Sequence, residues 1–117
     1  VWEASTVKLI QNKALMEHSS DAQFAEAFSR IECHYFTNNG WFDTDNYLIE
    51  NVDKIRHIPA VIVHGRYDVV CPVENAWELH KAWPESDLHI IPDSGHAMSE
   101  EGIKNKLIEY TDKFLKF

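Results

Sequence analysis

The spacing of apolar residues divides the chain near His57-Ile58-Pro59. Before that point apolar positions recur every three to four residues, the period of an amphipathic helix. Val7, Ile10, Ala14 and Leu15 predict a first helix that stops around residues 18–20. Ser20 is the predicted cap of a second, with Gln23 at the capping-box position and Phe24, Ala27, Phe28, Ile31 and Tyr35 on its apolar face. Asn38-Asn39-Gly40 offers residues that tolerate a left-handed stop. A shorter third helix is predicted after Thr44 or Asp45, carrying Tyr47, Leu48, Val52 and Ile55.

After the divide the period changes. Residues 60–64 form a short β-branched run without polar alternation, as expected of a strand covered on both faces. A polar loop follows, Pro72 stands where a helix starts, residues 73–83 read as that helix, and Pro84 ends it. Residues 88–91 are a second apolar strand, closed by Pro92 and an Asp93-Ser94-Gly95 turn. The last helix has Ser99 as its expected cap and Ile103, Leu107, Ile108, Tyr110, Phe114 and Leu115 as its expected buried side. Strand, helix, strand, helix predicts an α/β arrangement with parallel pairing and a right-handed crossover. Two parallel strands alone are a poor sheet, so the second half reads as the end of a larger doubly wound one.

Composition removes several classes of function. The chain has 117 residues, 44% hydrophobic, so it can bury a core but holds one domain or part of one. Eleven Lys and Arg against 19 Asp and Glu give a formal charge of −8, and no basic cluster occurs, so no nucleic-acid partner is expected. The longest apolar run is far short of the roughly 20 residues of a membrane helix, and no membrane association is expected. Cys33 and Cys71 form no C-x-x-C pair, and a reduced cytoplasmic protein is the simpler reading. The start, Val1-Trp2-Glu3, has neither a methionine nor a basic signal region, so the chain is expected to begin within a longer protein. The four glycines, Gly40, Gly65, Gly95 and Gly102, cannot frame a Gly-x-Ser-x-Gly nucleophile elbow, a dinucleotide fingerprint or a phosphate loop. The seven histidines make no H-x-x-x-H or H-E-x-x-H pair, so no metal or other cofactor is expected.

Candidate chemistry collects in the loops after the two strands, where open α/β sheets carry their sites. The first loop contains Asp68 and the second contains His96, 28 residues later. Asp68 can accept from one ring nitrogen of His96, fixing its tautomer and leaving the other nitrogen for a nucleophile. The same residues also read as a turn aspartate and a loop histidine at a helix entrance.

The string His64-Gly65-Arg66-Tyr67-Asp68-Val69-Val70-Cys71-Pro72, preceded by Ile58-Pro59-Ala60-Val61-Ile62-Val63 and followed by Gly95-His96, closely resembles the C-terminal part of bacterial proline iminopeptidases. These are α/β-hydrolase-fold serine peptidases that remove an N-terminal proline from peptides. The resemblance extends to Trp2-Glu3 and to Arg30-Ile31-Glu32-x-His34-Tyr35-Phe36. It implies the C-terminal part of an α/β-hydrolase fold, its last two parallel strands with their helices, over residues 57–117. Residues 1–56 would then be helices of a cap domain. It further implies that Asp68 is the triad acid, that His96 is the general base, and that the serine lies upstream in the rest of the hydrolase. The implied substrate is a peptide with an N-terminal proline, and carboxylates at positions matching Glu32 and Glu3 hold its free α-amino group. Glu32 also lies four residues after Phe28 and four before Phe36, along one helix face. Without the resemblance, a solvent-facing rim glutamate is the ordinary reading.

Other residues carry less. Cys71 is expected near the site but not as a nucleophile, and Arg66 reads equally as a loop-holding group or an exposed arginine. His34 and Tyr35 stand beside Glu32, with core packing the simpler role for Tyr35. Two alternatives remain. The chain is part of another α/β hydrolase acting on an ester, lactone, epoxide or haloalkane, or it is a non-catalytic module of the same fold. On the leading reading the 117 residues alone are expected to be inactive.

Overall fold

The structure, a computed structural model, describes residues 2–115. Its elements are α1 (Trp2–Thr6), α2 (Lys13–His18), α3 (Ala22–Thr37), α4 (Tyr47–Glu50), β1 (Val61–Gly65), α5 (Val73–Ala82), β2 (Asp87–Ile91) and α6 (Glu101–Phe114). Short 3₁₀ turns occupy Asn39–Trp41 and Val52–Lys54.

The first half is helical but more broken than its periodicity predicts. The continuous helix expected from Val7 does not form: α1 ends at Thr6, residues 7–10 bend, and α2 begins at Lys13. The polar groups that would close that helical turn are engaged elsewhere. The Val7 carbonyl accepts the amides of His96 and Ala97, and the Leu9 amide donates to Glu100. The cap of α3 is Asp21, not Ser20. Asp21 Oδ1 accepts the Phe24 amide at 2.8 Å, while Ser20 Oγ donates back to the Glu17 carbonyl. The stop after α3 is left-handed, with Asn39, Gly40 and Trp41 at φ of 49°, 59° and 60°. That turn folds Trp41 back against the rings of His34 and Tyr35, 5.1 and 5.0 Å away. The third predicted helix is split into α4 and the Val52–Lys54 turn, and its Val52 is buried.

The second half is a parallel β–α–β unit followed by a helix. Val61 pairs with Asp87 and Gly65 with Ile91, so both strands end level. Neither strand has a second neighbour among the described residues. Helix α5 packs on both strands and α6 on β1. Ala76, Trp83, Ile91 and Ile103 are the buried apolar residues of this half. Pro84 stops α5, and Trp83 turns its amide back to the Leu79 and His80 carbonyls. The cap of α6 is Glu100, one residue beyond the expected Ser99. Of the side predicted to be buried on α6, only Ile103 is; Leu107, Ile108, Phe114 and Leu115 are exposed, because no second layer covers them here. Tyr110 instead bridges to β2, its hydroxyl donating to Asp87 and meeting His89 Nε2 at 2.7 Å.

Two glycines set how closely the loops approach. A Cβ at Gly65 would lie 1.9 Å from the Gly95 carbonyl oxygen and 2.6 Å from that of Ser94, so no other residue fits without separating the strand end from the turn. Gly102 lets α6 start against Ile91, whose Cγ2 would lie 2.5 Å from an added Cβ.

Candidate active site

Because β1 and β2 end level, the loops at 66–72 and 92–98 leave the same edge of the sheet. Backbone bonds carry the strand pairing into them: the Arg66 amide donates to the Ile91 carbonyl at 2.9 Å and the Tyr67 amide to the Ser94 carbonyl at 3.0 Å. Asp68 follows directly. Its backbone turns at this point because its own Oδ1 accepts the amides of Val70 and Cys71, at 2.9 and 2.8 Å. This is the local side-chain-to-backbone turn that aspartate favours. The carboxylate is thereby clamped from behind, with its side chain only 4% exposed.

The other oxygen faces two imidazoles. His96 Nδ1 lies 2.9 Å from Asp68 Oδ2, and His64 Nε2 lies 3.5 Å from it. His64 Nε2 also stands 2.9 Å from the Cys71 carbonyl, which can only accept, so His64 carries its proton on Nε2. By the same logic His96 donates from Nδ1 to the carboxylate, which leaves Nε2 as the ring's lone-pair acceptor. The His96 side chain is 38% exposed. Beside it opens a cavity of about 710 Å³ lined by Val7, Lys8, Asn12, Ala14, His96 and Met98, among others. An imidazole oriented by a buried carboxylate, at the wall of an open cavity, can take a proton from a hydroxyl and return it to a leaving group.

Asp68 and His96 are therefore brought together. Glu32 is half-buried in the middle of α3, while the hydrogen bonds that hold the Asp68 carboxylate come from Val70, Cys71 and His96. Glu3 belongs to α1, and its side chain, like that of Leu15, lies outside the described residues. Phe28 and Phe36, which share a face with Glu32, are exposed, and Phe28 stacks on Phe24 with centroids 5.8 Å apart. Arg66 and Cys71 are exposed, and Cys71 and Cys33 are both free thiols. Desolvation, and secondly the charge on Asp68, push the Cys71 thiol above its ordinary range, the reverse of what an attacking thiolate needs.

Sequence reasoning missed four contributors. Its pairing of Asp68 with His96 left out His64, although that histidine lies next to the last residue of the strand preceding Asp68. The Val70 and Cys71 amides were readable from aspartate turn chemistry. Glu100, which ties the His96 turn to residues near the N-terminus, left no pattern that spacing could reveal. Among the described residues no three His, Cys, Asp or Glu side chains are arranged to hold a metal ion, and no helix is long and apolar enough to cross a membrane.

The chain is similar to longer curated proteins. It is 56% identical to a probable proline iminopeptidase of Leptolyngbya boryana over 98% of its own length and 36% of that protein's. It is 50% identical to a proline iminopeptidase of Arabidopsis thaliana, over 96% of this chain and 30% of the relative, and 48% identical to one of Xanthomonas citri, over 97% and 36%. The chain thus spans about a third of the length of these relatives. Residues 2–103 match the family described as alpha/beta hydrolase fold. With its level parallel strands and the two loops that leave them, this chain belongs to the alpha/beta hydrolase fold family.

Proposed function

We propose that this chain supplies the acid and the base of a serine aminopeptidase that releases N-terminal proline from peptides. The observation that carries the reading is the 2.9 Å contact between His96 Nδ1 and a buried, doubly anchored Asp68. In this mechanism a serine contributed by the rest of the hydrolase attacks the prolyl carbonyl. His96 Nε2 takes the serine proton, and Asp68 stabilises the resulting imidazolium without itself being protonated. The imidazolium then protonates the departing peptide amine, leaving a prolyl-enzyme ester. Water, deprotonated by His96, hydrolyses that ester and regenerates the serine. Backbone amides outside this chain stabilise the oxyanion, since no nucleophile elbow is written within it.

On the same reading residues 57–117 are the final part of the hydrolase core and residues 1–56 belong to a helical cap. Glu32 and Glu3 then bind the substrate's cationic imino group, and the exposed rings of Phe28 and Phe36 offer apolar surface for the proline ring. Two free thiols fit a cytoplasmic setting.

The test is hydrolysis of prolyl-naphthylamide by the complete hydrolase that carries this segment. His96→Ala is expected to lower kcat by about a thousandfold or more, and survival of near wild-type turnover refutes the base assignment. Glu32→Gln is expected to erode the preference for free over N-blocked proline. If that preference is untouched, the cap carboxylate has no such role. Preference for an ester, epoxide or haloalkane over every prolyl substrate replaces the aminopeptidase reading with another hydrolase.

A further inference from the structure

The turn that presents His96 is held from its far side by a carboxylate that does not behave as its position predicts. Glu100 occupies the cap of α6, yet its side chain makes no capping bond to the helix. It turns back over the preceding loop. Oε1 accepts the Gly95 amide at 2.9 Å, and Oε2 accepts the Leu9 amide at 3.0 Å. The Val7 carbonyl completes the clamp by accepting the His96 and Ala97 amides at 3.1 and 2.7 Å. Three consecutive amides, at residues 95, 96 and 97, are thus bound to groups outside their own turn. Gly95 permits the closeness: an added Cβ would lie 3.1 Å from the Leu9 nitrogen and 3.3 Å from Glu100 Oε1.

We propose that Glu100 is a positioning residue for His96, locking the base-bearing turn to the strap at residues 7–9. This rests on the triad reading above. Asp68 fixes one edge of the imidazole but not the backbone that carries it. Without the Glu100 bridge, the hydrogen bonds left between the strap and the turn among the described residues are the two to the Val7 carbonyl, so the side of the turn away from β1 can shift and carry the imidazole with it. Placement errors of about 1 Å at a reacting group cost about a hundredfold in rate. Both bonds are charge-assisted and share one acceptor group, so one substitution removes the bridge.

The experiment uses the complete hydrolase carrying this segment, with active sites titrated so that rates refer to folded enzyme. Glu100→Gln keeps the volume but leaves only one acceptor oxygen, so one of the two amides meets an NH₂. The expected result is a kcat at least tenfold lower with KM within twofold, together with faster hydrogen exchange at the Leu9 and Gly95 amides. Glu100→Asp keeps the charge on an arm too short to span both amides. It is expected to shift both readouts in the same direction, and it carries the test if Glu100→Gln does not fold. A kcat within twofold of wild type overturns the proposal. So does a fall in kcat with the two amides still protected, because Glu100 then acts by another route. His96→Ala is run alongside: if that variant retains activity, the base assignment fails and this proposal with it, whereas a silent Glu100 beside an essential His96 refutes this proposal alone.

Discussion

Gly65→Ala is the most demanding check on how the site is built. The added methyl would stand 1.9 Å from the Gly95 oxygen, 2.6 Å from the Ser94 oxygen and 2.8 Å from the Gly95 carbonyl carbon, all backbone atoms that cannot swing aside. Ordinary contact begins near 3.4 Å, so the turn carrying His96 must retreat from β1 by more than ~1 Å. The bond from the Tyr67 amide to the Ser94 carbonyl, now 3.0 Å, lies in the path of that retreat. So does the 2.9 Å contact of His96 with Asp68, which stretches past useful hydrogen-bond length. The expected cost is about 1–3 kcal/mol in stability, typical of overpacking, and about a hundredfold in kcat from displacement of the base. Thermal melts and prolyl-naphthylamide kinetics on the complete hydrolase measure the two. A low-field proton resonance from His96 Nδ1–H, present in the wild type and lost in the variant, ties the rate to the geometry. Gly40→Ala is the control. Gly40 has φ of 59°, but an added Cβ meets only the Phe42 ring at 3.4 Å, so backbone strain of about 1 kcal/mol is expected with no change in rate. A Gly65→Ala enzyme working within threefold of wild type would refute the reasoning.

Three further outcomes follow from neighbouring contacts. Asp68→Asn keeps an oxygen for the Val70 and Cys71 amides, so the loop should stay folded. Its NH₂, however, faces His96 Nδ1 and favours the wrong tautomer, and kcat should fall by about a thousandfold or more with little change in melting temperature. The rate of Cys71 alkylation by iodoacetamide should rise with pH through a midpoint above the ordinary thiol range, and Asp68→Asn should move that midpoint down by removing the nearby charge. The Tyr110 hydroxyl, with a smaller contribution from His89, holds the Asp87 carboxyl below the usual carboxylate range. A carboxyl depressed on folding stabilises at neutral pH and loses that contribution as pH falls through its folded value. The melting-temperature gap between wild type and Tyr110→Phe should therefore narrow on acidification; a gap independent of pH rules the contact out as its source.

The parallel strands, the helix between them and the two loops at their carboxyl ends were readable from the order of residues along the chain, because β-branched runs bounded by Gly and Pro admit few alternatives. Asp68 and His96 were placed in adjacent loops by the same pattern, and they meet at 2.9 Å. Periodicity failed where distant backbone groups compete for the same hydrogen bonds. Val7 and Ile10 have helical spacing, but the Val7 carbonyl accepts the amides of the His96 turn instead of closing a helical turn, and α1 ends at Thr6. Ser20 and Ser99 are good caps in isolation. Each lost the position by one residue, the first to an aspartate with better reach and the second to a glutamate that serves the turn instead of the helix. The apolar side of α6 was correctly identified as apolar and wrongly as buried, since amphipathicity reports a preference for cover and not the presence of it.

The β–α–β unit also bears on the order in which the molecule acquires its parts. Asp68 and His96 are 28 residues apart, and everything that aligns them apart from the residue 7–9 strap lies between β1 and the first residues of α6. Closing a loop of that size costs little more than closing one half as long, because the entropy grows only with the logarithm of length. Asp68 and His96 can thus find each other early in folding, and on the proposed aminopeptidase reading they do so before the upstream serine has arrived. A half-site assembled from such local contacts behaves as a preformed socket, and in refolding experiments its low-field histidine proton should emerge before hydrolytic activity returns.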